Sequence, residues 1–152
     1  MRRWRLLFAA AAGAALAAAI GSAWLVAANH PEGAWLRAAL APFCHQQAER
    51  CFDLAGRPWG LCVRCSGWWI GVLAASTASP RLLGQRAVAP LFVAAVTLGL
   101  SELFTDLAAL RFASGMLLGA AVAGCVSITL NDRNPAAERW LSGRKQRFAK
   151  PS

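Results

Sequence analysis

Residues 6–28 are 23 consecutive positions without a charged side chain, and Ser22 is their only hydroxyl. As a helix this run reaches about 34 Å at 1.5 Å per residue, enough to cross the hydrocarbon core of a bilayer. A basic start, Arg2, Arg3 and Arg5, precedes it. A secretory signal has the same order of parts, but its apolar core is only about 7–15 residues long. The expectation is therefore a retained first span. The rest of the composition agrees. Apolar residues make up 57% of the 152 positions and charged residues 15%, against about 25% charged in a soluble domain. Lipid, rather than a large soluble core, accounts for that deficit.

Three further apolar runs follow. The expected spans lie at about 6–28, 62–79, 87–105 and 112–131, a single domain of all-α class built as an integral membrane bundle of four transmembrane helices. Pro90 falls in the first turn of the third span, where proline is tolerated. Residues 80–84 read as a tight break and 132–152 as a basic tail. Residues 29–61 differ, with Pro31, Pro42, Pro58 and five charged side chains before Gly56. They read as a Cys-rich loop, with a short interfacial helix over 33–47 that turns Trp35, Leu36, Leu40 and Phe43 to one side.

Charge sets the expected orientation. The chain has 16 Lys+Arg against 7 Asp+Glu, a net charge of +9. With both ends inside, 11 of those Lys/Arg are cytoplasmic and 5 (Arg37, Arg50, Arg57, Arg64 and Arg111) are outside. The positive-inside rule then puts both termini in the cytoplasm and the 29–61 loop outside, in a cell inner or plasma membrane. The basic residues flank apolar runs and do not gather on a soluble domain. The partner they imply is the lipid bilayer, and nucleic acid is not expected. Small residues recur every fourth position at Gly13, Ala17 and Gly21, at Gly67, Gly71 and Ala75, and at Gly115, Gly119 and Ala123. Such faces let helices approach closely. They suit a bundle or a homo-oligomer, and the bundle is preferred.

The chemistry gathers at the outer end. Cys44, Cys51, Cys62 and Cys65 fall within 22 positions, with His45 among them. Cys62-Val63-Arg64-Cys65 is a Cys-x-x-Cys at the start of a helix, where i and i+3 share a face. A helix N-terminus favours thiolate, the form that binds metal or attacks a disulfide. Cys44, His45, Cys62 and Cys65 form a Cys₃His set suited to tetrahedral zinc. Adjacent Cys44 and His45 can both reach one metal only if the preceding helix ends there. If it does not, Cys51 is the alternative fourth ligand. The structural reading of Cys-x-x-Cys, two small half-buried side chains, competes less well with two more cysteines and His45 nearby. For His45 a plain interfacial histidine competes closely. Mid-span Cys125 reads as a small apolar residue.

Gln46, Arg50, Arg64, Glu102, Asp106 and Arg111 make a possible surrounding or ligand-binding layer. Glu102 and Asp106 are spaced i, i+4 at the outer end of the third span, and Arg111 opens the next as their expected partner. A structural ion pair there weighs at least as much as a functional one. Trp59, Trp68 and Trp69 read as a boundary belt. The alternative chemistry is a membrane thiol–disulfide or quinone oxidoreductase, with Cys44 and Cys51 exchanging with Cys62–Cys65.

At these residues the chain resembles a family of small prokaryotic membrane proteins of unknown function, marked by Cys-His-Gln followed by Cys-x-Arg-Cys-x-Gly. The matching positions are Cys44-His45-Gln46, Arg50-Cys51-Phe52, Gly56, Leu61-Cys62-Val63-Arg64-Cys65-Ser66-Gly67 and Gly71. Asp106 and Leu110-Arg111-Phe112 with Gly115 match downstream. The resemblance spans roughly 43–119. It implies a multi-span membrane protein and no established activity. A serine-like residue usually stands in the family where this chain has Cys51, so the resemblance favours Cys44, His45, Cys62 and Cys65. A tyrosine, usual in the family near Trp68 or Trp69, is missing here.

Overall fold

The computed structural model describes residues 2–54, 56–78, 85–102, 105 and 107–131. The break expected at 80–84, Asp106 and the tail over 132–152 lie outside them. The chain is mostly helical: α1 (Arg2–Ala27), α2 (Glu32–Leu40), α3 (Val63–Thr77), α4 (Gln85–Ser101) and α5 (Ala108–Asn131). Two of these, α1 and α5, are long and apolar enough to cross a membrane. The other two expected spans are shorter, since α3 has 15 residues and α4 has 17.

Two corrections concern the segment before α3. The short helix stops at Leu40 and gives way to a 3₁₀ turn, Ala41–Phe43, instead of running to 47. Pro42 sits in that turn, and its missing N–H and ring block a longer α-helix. The all-α expectation also needs amending. Strands β1 (Cys51–Leu54) and β2 (Arg57–Cys62) pair as an antiparallel hairpin. Leu54 faces Arg57, which leaves a two-residue turn. Gly56 takes φ +72° there, a region that L side chains avoid, and its N–H donates to Asp53 Oδ1 at 2.9 Å. Phe52 and Trp59 pack across the hairpin with ring centroids 5.3 Å apart.

The hairpin rests on α1 and α2. Leu61 is fully buried among Leu40, Cys44 and Ala19, a burial that contributes about 2 kcal/mol. Gly60 lies so close to α1 that a Cβ there would meet Ser22 Oγ at 2.5 Å and Ala19 Cα at 3.2 Å. These contacts fix the end of β2, and β2 runs directly into α3 at Val63.

Contact pairs give the helix directions. Arg5 donates to the carbonyls of Ser76 and Ala78, while Ala19 packs beside Cys62 and Cys65. So α1 and α3 run antiparallel, and Arg5 satisfies carbonyls at the end of α3 that have no helical partner. Gly67 meets Phe112 and Met116, Gly71 meets Met116 and Ala120, Gly115 meets Arg64, and Gly119 meets Trp68. Residue numbers rise together on both sides, so α3 and α5 are parallel and packed backbone to backbone through two Gly-x-x-x-Gly faces. Gly124 touches Val88 and Ser114 bonds Glu102, so α4 runs antiparallel to α5. The helices stand in the order α1, α3, α5, α4. The third small-residue face is different, because Gly13 has nothing within 4 Å of where a Cβ would sit.

Candidate metal centre

Three segments deliver three sulfurs to one place. Cys44 follows the 3₁₀ turn, Cys62 ends β2, and Cys65 lies in the first turn of α3. Their Sγ atoms all lie within 4.8 Å of one another. Cys44 is buried, and Cys62 and Cys65 are half-buried. Zn–S bonds of about 2.3 Å in a tetrahedron put sulfurs about 3.8 Å apart. Closing this cluster on a metal therefore takes movements of about 1 Å or less. All five cysteines of the chain are free thiols.

The backbone is arranged around Cys44. The N–H of Cys62 donates to Cys44 Sγ at 3.1 Å, and the N–H of Gln46 donates to it at 3.4 Å. Gln46 reaches this position with φ +52°, in the left-handed region that a glutamine seldom adopts. Its side chain holds that bend, since Nε2 donates to the carbonyl of Arg37 at 2.6 Å. A sulfur that accepts two N–H bonds is held as an acceptor, the role of a metal-bound thiolate, and such outer contacts orient ligands. The left-handed bend at Gln46 and the N–H of Cys62 were not readable from residue types.

The electrostatics separate the thiols. Cys62 precedes the first helical residue of α3. It is pulled down to about 5, first by the hydrogen bond from the Cys65 thiol, against the opposing effect of burial. Cys65 also donates to the Phe43 carbonyl at 3.6 Å. Cys51 is pushed up to about 11, by burial first and then by negative charge at Cys44 and Cys62. Its thiol donates to the Gln47 carbonyl at 3.1 Å.

His45 does not join the three sulfurs. Cys44 has φ −155° and ψ 134°, an extended backbone that sends successive side chains to opposite sides. With Cys44 buried, His45 is exposed. Of the expected Cys₃His set, three members converge and the histidine does not.

The acidic layer is also rearranged. Glu102 pairs with Arg64 and accepts a further bond from Ser114 Oγ at 2.6 Å. Its side chain is 6% exposed. Arg64 is thus the residue between the two Cys-x-x-Cys sulfurs and also the tie from α3 to the end of α4. Ser114, which shares Glu102, carried no signal in the sequence. Arg111 is half-buried on α5, Arg50 is exposed, and Asp106 lies outside the described residues. Trp59 and Trp69 pack against the cluster that holds Cys44 and Leu61. They form part of the wall of the site as well as of any boundary belt.

Chemically, the arrangement offers three soft donors at the mouth of a helix, with no carboxylate among them in the described residues. Thiolates of this kind select zinc, copper(I) or iron–sulfur chemistry over magnesium or calcium. No curated protein and no solved structure matches the chain. Residues 44–125, more than half of the chain and all three converging cysteines, match the family model of the predicted membrane proteins DUF2085, and the chain belongs to that family.

Proposed function

We propose that the chain is a four-span plasma-membrane protein that holds a zinc ion at its outer boundary as a structural clip. The observation that carries the metal reading is the meeting of Cys44, Cys62 and Cys65 within 4.8 Å from three separate segments. Zinc is the metal proposed because it is redox-inert, takes thiolates in tetrahedral sites and closes loops onto helices. Here it would pin the segment after α2 to the junction of β2 and α3. A structural role fits better than a catalytic one. Among the described residues the cluster contains no base, and the nearby carboxylate of Glu102 is occupied by Arg64 and Ser114. Zinc binding to thiolate sites is worth about 10–16 kcal/mol in small peptides, comparable to the whole stability of a domain.

The parallel course of α3 and α5 supports four spans. A chain that leaves the end of α3 must return to the cysteine side before α5 begins, and α4 lies antiparallel to α5 on that return path. At 15 residues, α3 is about 22 Å long. That is short of a hydrocarbon core of about 30 Å, a mismatch that local thinning of the bilayer absorbs. The charge count of the sequence sets both termini in the cytoplasm and the centre outside.

The test is metal analysis of reduced, purified protein in detergent, wild type beside Cys62→Ser/Cys65→Ser. One zinc per wild-type chain and none in the double variant is the expected result. A reduced wild type without stoichiometric metal sinks the reading.

A further inference from the structure

Three sulfurs leave one corner of a tetrahedron, and the hairpin indicates what fills it. We propose that Cys51 supplies the fourth ligand, so that the centre is a Cys₄ site of Cys44, Cys51, Cys62 and Cys65. The proposal rests on the metal reading above and names its missing donor.

The register of the hairpin is the main observation. Cys51 stands directly opposite Cys62 in the antiparallel ladder. Directly opposed residues project to the same face with Cβ atoms about 4.5–5.5 Å apart. That brings Cys51 beside Cys62, with its sulfur turned to Gln47 and outside the three that meet within 4.8 Å, whereas the extended backbone at Cys44 sends His45 away from them. The ladder is irregular between Cys51 and Asp53. Such bulges re-aim side chains at functional positions. Cys51 is half-buried, and its charge neighbours are Cys44, Cys62 and Arg37. Its thiol donates to the Gln47 carbonyl at 3.1 Å, a bond that a rotation about Cα–Cβ releases.

On binding, each coordinating thiol gives its proton to solvent and each sulfur donates a lone pair to the metal, with no change of oxidation state. Four thiolates on a divalent ion leave two negative charges. Arg37, close enough to act on the Cys51 thiol, offsets part of them. The ligand set then ties both strands of the hairpin, not β2 alone, to α3.

Two experiments on the full-length protein in detergent test this. In the first, reduced metal-free protein is titrated with Co²⁺, and the thiolate-to-cobalt charge-transfer band is compared across wild type, Cys51→Ser and His45→Ala. Cys51→Ser should lose about one quarter of the intensity per bound cobalt as the sulfur count falls from four to three. It should also bind zinc more weakly by over about a hundredfold, beyond the effect of losing an outer-shell partner. His45→Ala should match wild type in both. The second experiment needs no variant. Wild type is alkylated with iodoacetamide with and without Zn²⁺, and the labelled cysteines are mapped by mass spectrometry. Zinc should protect Cys51 together with Cys44, Cys62 and Cys65. A wild-type band unchanged in Cys51→Ser, or Cys51 labelled equally with and without zinc while the other three are protected, overturns the role of Cys51 alone. No band and no protection in wild type overturns the metal reading and the proposal together.

Discussion

Replacing Gly71 by alanine should break the packing of α3 on α5, and the same replacement at Gly13 should not. The two changes are chemically identical and both lie in helices. At Gly71 a Cβ would fall on the carbonyl oxygen of Met116, with the Met116 carbonyl carbon at 2.8 Å and the Ala120 nitrogen at 3.0 Å. Ordinary Cβ contacts lie at 3.4–4 Å. Every blocking atom is backbone, so no rotamer change relieves the clash and the helices must separate. Separation also loosens the contacts at Gly67, Gly115 and Gly119, which are equally close. Overpacking typically costs 1–3 kcal/mol, and a backbone-on-backbone clash belongs near the top, about 3 kcal/mol. That is a factor of roughly a hundred in the folding equilibrium at 1.4 kcal/mol per tenfold. At Gly13 nothing lies within 4 Å. Alanine there should be neutral or stabilising by up to about 1 kcal/mol through helix propensity. The assay is reversible unfolding in mixed micelles, followed by tryptophan fluorescence. Equal midpoints for Gly71→Ala and Gly13→Ala would refute the packing argument.

Glu102→Gln removes the charge that joins Arg64 to Ser114. With Arg64 half exposed and its pair partly screened, the expected loss is about 1–2 kcal/mol in the same assay, while Glu102→Ala should cost more because Ser114 also loses its acceptor. In metal-free protein the Cys62 thiol, held down to about 5, should alkylate at a rate nearly flat from pH 6 to pH 8. Cys51, held up to about 11, should alkylate slowly at pH 8 and accelerate about tenfold per pH unit until that value is passed. Parallel pH profiles for the two would show that their environments do not differ. Leu61→Ala should cost about 2–5 kcal/mol as a buried large-to-small change, and should weaken metal binding by shifting Cys62. Chelation of bound zinc should expose residues 44–62 to protease while α5 stays protected, and unchanged digestion would argue against a clip.

The long apolar elements were legible because lipid imposes a simple rule: no charge over about twenty residues. That rule found α1 and α5 cleanly. It placed α3 and α4 but overstated their length. The hairpin was not legible. Pro31, Pro42 and Pro58 read as marks of a loop, and the strands are stabilised from outside by Leu61 on α2 and by Gly60 on α1. The Cys-x-x-Cys pair was legible from spacing, and Cys44 from its clustering. His45 was misjudged because sequence adjacency says nothing about which side of an extended backbone a residue takes. Arg111 was expected beside Glu102 and Asp106 because it is near in sequence. The partner that Glu102 takes, Arg64, is 38 positions away and comes close because α3 and α5 are parallel.

That parallel pairing also fixes an order of events during synthesis. Helices packed side by side in the same direction are not joined by a short turn, so α5 reaches α3 only after α4 has been made. Met116 lies 45 positions after Gly71, a delay of roughly 2–9 s at ribosomal rates of about 5–20 residues per second. The closest interface in the molecule is therefore completed last. Throughout that interval the three cysteines, the hairpin and α1 have already emerged. The three cysteines can gather on a half-built protein, and the glycine seam then locks in place a helix whose cysteine end is already set.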